Sequence, residues 1–368
     1  MINKDIHIGI VGAGNIGTAI YELLVSGTDY EVSVADISDR PWNIPEERFF
    51  LINQDWDDSN QFNEFVSGKT LIVNALPFHQ NINLYTSCCE NDVPYFDLSE
   101  DDGLDNHIKT LENIKIPFTM PHCGLAPGMS TAIAWSLLRK IDKPQTLKIR
   151  VGALSENASN KLRYYTSWSG DGLVNEYLGD CEVVQRGTVK KVPALSGYEK
   201  LTIDGREYEC FNTSGGIGTL AKSIQGAYDP HTMDDPSTIW ADYKTIRRIG
   251  HHDYVDFLFN DLELDQSSLT DIFNACIPKT RKDCVIIFVN ASSLGKEDEH
   301  TYYKVFKPRN IHGRHMTAIE YTTAAGIVTM VELYLTKKIP QEGYVRQEQV
   351  NLKDAYSTTY GYLYRENE

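Results

Sequence analysis

The stretch "GIVGAGNIGTAI" constrains this chain more than any other. Gly12, Gly14 and Gly17 form a G-x-G-x-x-G pattern directly after the apolar run "IHIGIV" (6–11), and they open the amphipathic "NIGTAIYELLVSG". A second apolar run, "EVSVAD" (31–36), ends on Asp36, 36 − 17 = 19 residues beyond the last glycine. Strand, glycine turn, helix, strand and terminal acid in this order are the dinucleotide-binding fingerprint. Gly12 permits the tight turn, Gly14 lets a pyrophosphate approach the backbone, and Gly17 allows close helix–strand packing. The cradle therefore runs from Gly12 through Ala13, Gly14, Asn15 and Ile16 to Gly17, with the free N–H groups of the helix start facing the phosphates. Asp36, followed by Ile37, accepts both ribose hydroxyls and repels a 2′-phosphate, which favours NAD over NADP. Arg40 nearby opposes that preference.

Apolar strands continue at 49–55, 70–76, 94–99 and 116–120, with helix-compatible stretches at 78–91 and 102–113. Such alternation implies right-handed βαβ crossovers, hence an α/β fold with a doubly wound parallel Rossmann sheet. After Lys140 the texture changes to polar–apolar alternation with turn signals at Arg186-Gly187 and Asp204-Gly205, which reads as antiparallel hairpins. The segment "KLRYYTSW" is read with them as a strand. Helices are expected near 217–226, 238–249 and 252–260, and further strands at 284–291 and 301–307. A helix over 316–336 is expected to return to the first domain. The resulting scheme is a Rossmann domain (1–125) interrupted by an α+β substrate domain with a mixed, largely antiparallel sheet (126–315), then a return helix and tail (316–368).

In a doubly wound sheet, ligands bind beyond the carboxyl ends of the strands. Three such ends carry chemistry: "NALPFHQ" with Ala75, Leu76 and Pro77; "FDLSEDD" with Asp97 and Leu98; and "MPHCGLAPGM" with His122, Cys123 and Gly124. A metal site needs about three or four ligands, and no second Cys or His lies nearby at a ligand spacing. A thiol nucleophile, a substrate-lining role and a structural turn remain open for Cys123. Asp97 and His122 are the candidate acid–base groups, His122 starting closer to neutral pH.

Lys and Arg number 35 against 51 Asp and Glu in 368 residues, a net charge of −16, which argues against nucleic acid or an anionic membrane as a partner. The seven cysteines are scattered without a CxxC pair, as expected of a reducing cytoplasm. The amino-terminal residues enter a strand at once, without a signal-peptide pattern. No run of about 18 uncharged apolar residues occurs, so no membrane span is expected.

Taken in order, "GAGNIG", "CGLAPGM", "YYTSWSGDGLVNEY" (164–177), "ECFNTSGGIGTL" (209–220), "KTIRRIGH" (244–251) and "TTAAGIV" (322–328) make the chain resemble the saccharopine dehydrogenase-like family over nearly its whole length. That family includes saccharopine dehydrogenases and L-lysine 6-dehydrogenases. The resemblance implies a homodimeric NAD(P)-dependent oxidoreductase that breaks a C–N bond of lysine or a lysine adduct. Saccharopine is the first expectation, and lysine or a carboxylated polyamine the alternatives. A non-catalytic NAD(H) sensor is the alternative of another class. The resemblance also implies that Arg247 clamps a substrate carboxylate, a task suited to a guanidinium fork. Trp168, Asn175, Thr213 and Gly124 are candidate substrate contacts, and Arg163, Lys222 and Lys244 candidate further cations. Two departures stand out: Arg248-Ile249 replaces the family's tyrosine-proline, and His122 stands where many relatives carry aspartate or glutamine.

Overall fold

Ile8, Ile10 and Val11 are fully buried because β1 (Asn3–Val11) lies between β2 (Tyr30–Asp36) and β4 (Leu71–Asn74), parallel to both. The structure, a computed structural model, describes residues 3–52, 59–100, 103–111, 115–226, 236–262 and 264–366. By internal contacts the chain forms two units, residues 1–129 with 320–365 and residues 130–319 with 366–368.

The first unit carries the parallel sheet expected from the sequence, six strands in the order β3-β2-β1-β4-β5-β6. Here β3 is Phe49–Leu51, β5 Tyr95–Asp97 and β6 Thr119–Met120. Strand order reverses between β1 and β4, which makes their carboxyl ends the ligand-binding edge. Crossover helices α1 (Asn15–Gly27), α2 (Ser59–Val66), α3 (Asn81–Glu90) and α4 (Gly103–Thr110) connect the strands. The third strand is shorter than expected, and residues 53–55 of the expected 49–55 lie outside the described residues, as do 102 and 112–113 of the helix expected over 102–113. Residues 343–345 extend the edge of the sheet: Thr119 N–H donates to Gly343 O (2.9 Å), and Val345 N–H to Thr119 O (2.8 Å).

The second unit begins with α5 (Met129–Leu138), which starts at the last residue of the first unit. It then builds β7 (Pro144–Ser155), β8 (Asp180–Gln185), β9 (Thr188–Pro193), β10 (Glu199–Ile203), β11 (Arg206–Asn212), β12 (Trp240–Arg248), β13 (Asp283–Ser293) and β14 (Glu299–Phe306). The main path runs β10-β11-β12-β7-β13-β14, and the β8–β9 hairpin joins through β12. Among the described residues of this sheet only β7 and β12 pair in parallel, so it is mixed and largely antiparallel. The two turn signals are real: Arg186, Gly187, Asp204 and Gly205 all adopt positive φ, as tight hairpins require. Tyr303 on β14 donates to Asp204 in the β10–β11 turn (2.7 Å), linking opposite ends of the sheet. Helices α6 (Gly170–Glu176), α7 (Leu220–Ile224), α8 (His251–Asp256) and α9 (Gln266–Cys276) complete this unit. Helix α10 (Ala318–Leu335) follows, close to the expected span. No helix among the described residues is long and apolar enough to cross a membrane.

Four local expectations are corrected. Residues 238–249 form a central strand rather than a helix; its charged members are paired, Asp242 with Arg150 of β7, Lys244 with Glu199 of β10 and Arg247 with Glu176 of α6, which disguises the period-two alternation. The segment "KLRYYTSW" is irregular apart from a bridge between Thr166 and Lys279. The helix expected over 217–226 shrinks to Leu220–Ile224. After α8 the chain widens into a π-turn over Phe257–Asp261. Helix α9 carried no expectation at all.

Candidate active site

Backbone geometry explains each glycine of the cradle differently. Gly12 holds φ +104°, and a Cβ on Gly17 would come 1.9 Å from Gly12 O, so neither position admits another residue. A Cβ on Gly14 would meet nothing within 4 Å. That glycine answers no need of the protein's own packing, which leaves its open face for a ligand. Gly14 precedes α1, whose first turn has neither a side-chain cap nor an acidic residue, so its N–H groups and positive dipole end remain available to phosphate. Gly14 and Asn15 are exposed, Ala13 and Ile16 half-buried. Asp36 Oδ2 accepts Ala13 N–H (2.5 Å) and Oδ1 accepts Ser38 N–H (2.7 Å), which aims the carboxylate along the loop. Ala75 O sits 2.6 Å from where a Gly12 Cβ would lie, and Asn74 Oδ1 accepts Leu76 N–H (2.9 Å), so the β4 tip packs on the glycine turn. Ile37 and Leu98 are half-buried and Pro77 is exposed. These residues fit a dinucleotide.

At the neighbouring tips of β5 and β6, Asp97 gathers four donors. Oδ1 accepts the N–H groups of His122 (2.9 Å) and Ser99 (3.0 Å) and the Ser99 hydroxyl (3.3 Å), while Oδ2 accepts Tyr95 OH (3.1 Å). Tyr95 in turn accepts from Asn74 Nδ2 at 2.8 Å. His122 is 2% exposed and holds φ +60°, a conformation sustained by the contacts at both of its ends. Its Nδ1 faces Ser99 O at 2.6 Å and its Nε2 faces Asp105 Oδ2 at 3.4 Å. Tyr344 donates to the other Asp105 oxygen at 2.6 Å. Burial alone lowers the His122 pKa, but Asp105, Asp97 and the Ser99 carbonyl outweigh it and hold it up at about 9. With acceptors at both nitrogens, the ring is an imidazolium at neutral pH. Burial raises the Asp97 carboxyl against the pull of His122.

Cys123 has no exposed surface, and its N–H donates to Asp97 O (2.8 Å). Its thiol donates to Met120 O (3.1 Å), and burial pushes its pKa well above the usual thiol range. It is a thiol at neutral pH, without the thiolate character a nucleophile needs. Gly124 lies against α10, where a Cβ on Gly326 would come 2.4 Å from Gly124 O. That contact explains the glycine inside "TTAAGIV". Gln347 Nε2 donates to Pro121 O (2.5 Å), completing a clasp by which the carboxy-terminal segment holds this loop.

In the second unit Arg247 is 2% exposed. Nε donates to Tyr177 OH (2.8 Å), Nη1 to Thr245 Oγ1 (2.5 Å) and Ile246 O (3.2 Å), and Nη2 to Glu176 Oε2 (2.9 Å). Four of its five N–H bonds are thus used within the protein. The guanidinium also lies over the rings of Tyr164 (5.2 Å) and Tyr177 (5.6 Å). Tyr177 donates onward to His251 Nε2 (2.9 Å), whose Nδ1–H donates to Leu162 O (2.8 Å). Burial first, then Arg247, holds His251 down at about 3, so it is neutral. Trp168 Nε1 donates to Tyr164 OH (2.9 Å), which places Trp168 and Arg247 around one tyrosine. Asn175 is half-buried and its carbonyl accepts Ser214 Oγ (2.9 Å). Thr213 is 3% exposed, and its hydroxyl has no partner among the described residues. Lys244 stands apart: three positions before Arg247, it projects from the opposite face of β12. Arg163 is exposed and Lys222 half-buried.

Sequence reasoning missed Tyr95, Asp105, Tyr344, Gln347, Glu176 and Tyr177. The last two close the quoted "LVNEY", a buried Glu-Tyr pair that the aromatic motif signalled. Asp105 and Tyr344 are 239 residues apart, and no local pattern announces them.

A parallel sheet in 3-2-1-4-5-6 order, with a glycine cradle and an acid at the tip of β2, defines a nicotinamide-dependent dehydrogenase fold. Residues 8–117 match the model of the saccharopine dehydrogenase NADP binding domain, and residues 124–366 that of the saccharopine dehydrogenase C-terminal domain. The chain belongs to the saccharopine dehydrogenase family, and with it to the oxidoreductases acting on amino-acid CH–NH donors. Among solved structures, the apo histidine-tagged saccharopine dehydrogenase (L-Glu forming) of Saccharomyces cerevisiae shares the fold. It has a TM-score of 0.70 at 13% identity over 93% of this chain and 94% of that one. The C. glutamicum DAP dehydrogenase in complex with DAP matches at TM-score 0.44, 12% identity and 97% of each chain, too distantly to carry an argument. No curated protein gives a match.

Proposed function

We propose that the protein is an NAD-dependent saccharopine dehydrogenase of the glutamate-forming type. The observation that carries this reading is the buried cluster in which Asp97 accepts the His122 backbone N–H and Asp105 faces the His122 ring, at the carboxyl end of the parallel sheet beside the cofactor cradle of the same unit. When bound there, the nicotinamide supplies a hydride acceptor. The substrate's secondary amine must be neutral as hydride leaves, and His122 accepts that proton once its own has been lost at alkaline pH and Nε2 has turned from Asp105. Asp97 orients His122 and the following Cys123–Gly124 turn, which shapes the floor against the substrate. Oxidation removes a hydride and a proton from the CH–NH unit, and water added to the resulting C=N bond releases glutamate and an aldehyde.

In the second unit Thr213 offers a hydroxyl without a partner, and Arg247 its fifth N–H, to substrate carboxylate. Trp168, which donates to the Tyr164 hydroxyl beside Arg247, and Asn175, next to Glu176 in the chain, are further candidate contacts, and Arg163 supplies an exposed cation. NAD is preferred over NADP because Asp36 faces the cradle with a carboxylate, while Arg40, four residues on, donates to Ile44 O.

The test is initial-rate NADH formation with L-saccharopine, L-lysine and a carboxylated polyamine in parallel, each at pH 7 to 10. Turnover with saccharopine, rising through pH about 9 and losing that limb in His122→Gln, supports the reading. Turnover with lysine alone moves the protein to lysine 6-oxidation. A pH profile unchanged in His122→Gln removes His122 as the base.

A further inference from the structure

Four charges form a closed square on the second unit's sheet, on the face away from Arg247. Arg150 and Lys244 are direct neighbours across β7 and β12, exposed by only 1% and 7%. Arg150 donates to Glu199 Oε1 (2.5 Å) and Asp242 Oδ1 (2.7 Å). Lys244 Nζ lies 3.0 Å from Glu199 Oε2 and 3.5 Å from Asp242 Oδ2. Two cations and two carboxylates cancel. Nothing in that balance requires open space beside them, yet Lys244 and Asp242 line a cavity of about 340 Å³.

Two polar atoms at this place are left over. Asn212, 5% exposed, lines the cavity; its Nδ2 donates to Ser196 Oγ (3.0 Å), and its Oδ1 has no partner among the described residues. Arg150 Nη2, within the square, likewise has none. A buried amide oxygen without a donor is destabilising, and an occupant carrying an N–H or O–H removes that cost. Gly197, at φ +67°, keeps the floor free of a side chain, since a Cβ there would sit 2.7 Å from Asn212 Nδ2. The walls differ in character. Lys148 lines one side, exposed and without an ion pair among the described residues, so the cavity carries one net positive charge beyond the square. Val183, Val184 and Val192 of the β8–β9 hairpin line the other, and Trp240, 46% exposed, stands at the rim.

The geometry points to a binding site for a small amphipathic carboxylate that also carries a hydrogen-bond donor, an apolar α-amino or α-hydroxy acid. Its carboxylate meets Lys148 and Lys244, its donor satisfies Asn212 Oδ1, and its apolar body lies on the valines and Trp240. The site belongs to the second unit alone and does not depend on the substrate reading above.

Titration calorimetry and tryptophan fluorescence of the full chain test it with three probes: L-leucine, L-2-hydroxyisocaproate and 4-methylpentanoate, which lacks the donor. The expected result is binding of the first two, at least about tenfold weaker binding of the third, and about tenfold loss in Lys148→Met, a surface change that leaves the fold intact. Trp240→Phe should remove the fluorescence change while heat is retained. Asp97→Asn, in the other unit, should leave leucine affinity unchanged. No binding of any probe at about 10 mM, or binding indifferent to Lys148→Met, overturns the proposal. Binding lost in Asp97→Asn would place the probes at the reaction site and overturn it equally.

Discussion

Glu176 receives Arg247 Nη2 at 2.9 Å with both side chains enclosed, and the same arginine reaches Tyr177 through Nε at 2.8 Å. An arginine expected to wait for a substrate carboxylate already holds one of the protein's own. Removing one partner of such a pair leaves a buried charge without compensation, at a cost of about 3 to 5 kcal/mol. Arg247→Ala should therefore lower the urea midpoint sharply, whatever it does to turnover. Replacing both partners, as Arg247→Met with Glu176→Leu, should recover much of the loss. A single variant as stable as the parent would mean that the pair does not support the fold.

The two buried histidines pull stability in opposite directions with pH. His122 is raised from 6.5 to about 9, so its contribution is complete below pH 6.5 and is lost as pH climbs through 9. His251 is lowered to about 3, so its contribution is complete above pH 6.5 and fades as the pH falls toward 3, because the unfolded chain binds that proton first. The limits are roughly 3 kcal/mol for the alkaline limb and roughly 5 kcal/mol for the acid limb. Urea midpoints across pH 5 to 10 should flatten on the alkaline side in His122→Gln and on the acid side in His251→Gln. Parallel curves for parent and variants would contradict both assignments.

Gly14 and Gly17 should separate binding from folding. A methyl at Gly17 collides with Gly12 O, whereas one at Gly14 meets nothing within 4 Å. Gly17→Ala should lower thermal stability and NADH affinity together. Gly14→Ala should shift stability by no more than about 1 kcal/mol while weakening NADH, because the methyl fills only the space left for phosphate. NADH titration beside calorimetry checks this, and equal affinity in Gly14→Ala would argue against phosphate at that backbone.

Asp36 should govern the choice of coenzyme. Asp36→Ser removes the charge that repels a 2′-phosphate and retains an oxygen that can accept the Ala13 N–H. The ratio of kcat/KM for NADP to that for NAD should rise by about tenfold or more. A ratio that does not move would assign the preference to another residue.

Local pattern was enough to read the first unit. The glycine spacing, the terminal Asp36 and the apolar strands are short-range signals with one physical solution, a tight turn between a buried parallel strand and a helix. The hairpins at Arg186-Gly187 and Asp204-Gly205 were legible for the same reason, since positive φ selects those residue types. Residues 238–249 were not legible: β12 carries Asp242, Lys244, Arg247 and Arg248, and their charges break the pattern a buried strand normally shows.

By itself, then, the sequence determined where the backbone must turn, which strands are apolar enough to be central and which tips carry reactive groups, because these depend on neighbours a few residues away. Tertiary structure alone decided what those groups are. His122 becomes a cation because Asp105, supported from Tyr344 at 239 residues' distance, faces its ring. Arg247 becomes enclosed because Glu176, 71 positions earlier, reaches it. Protonation and availability follow from partners and burial, and these come together only when distant segments pack.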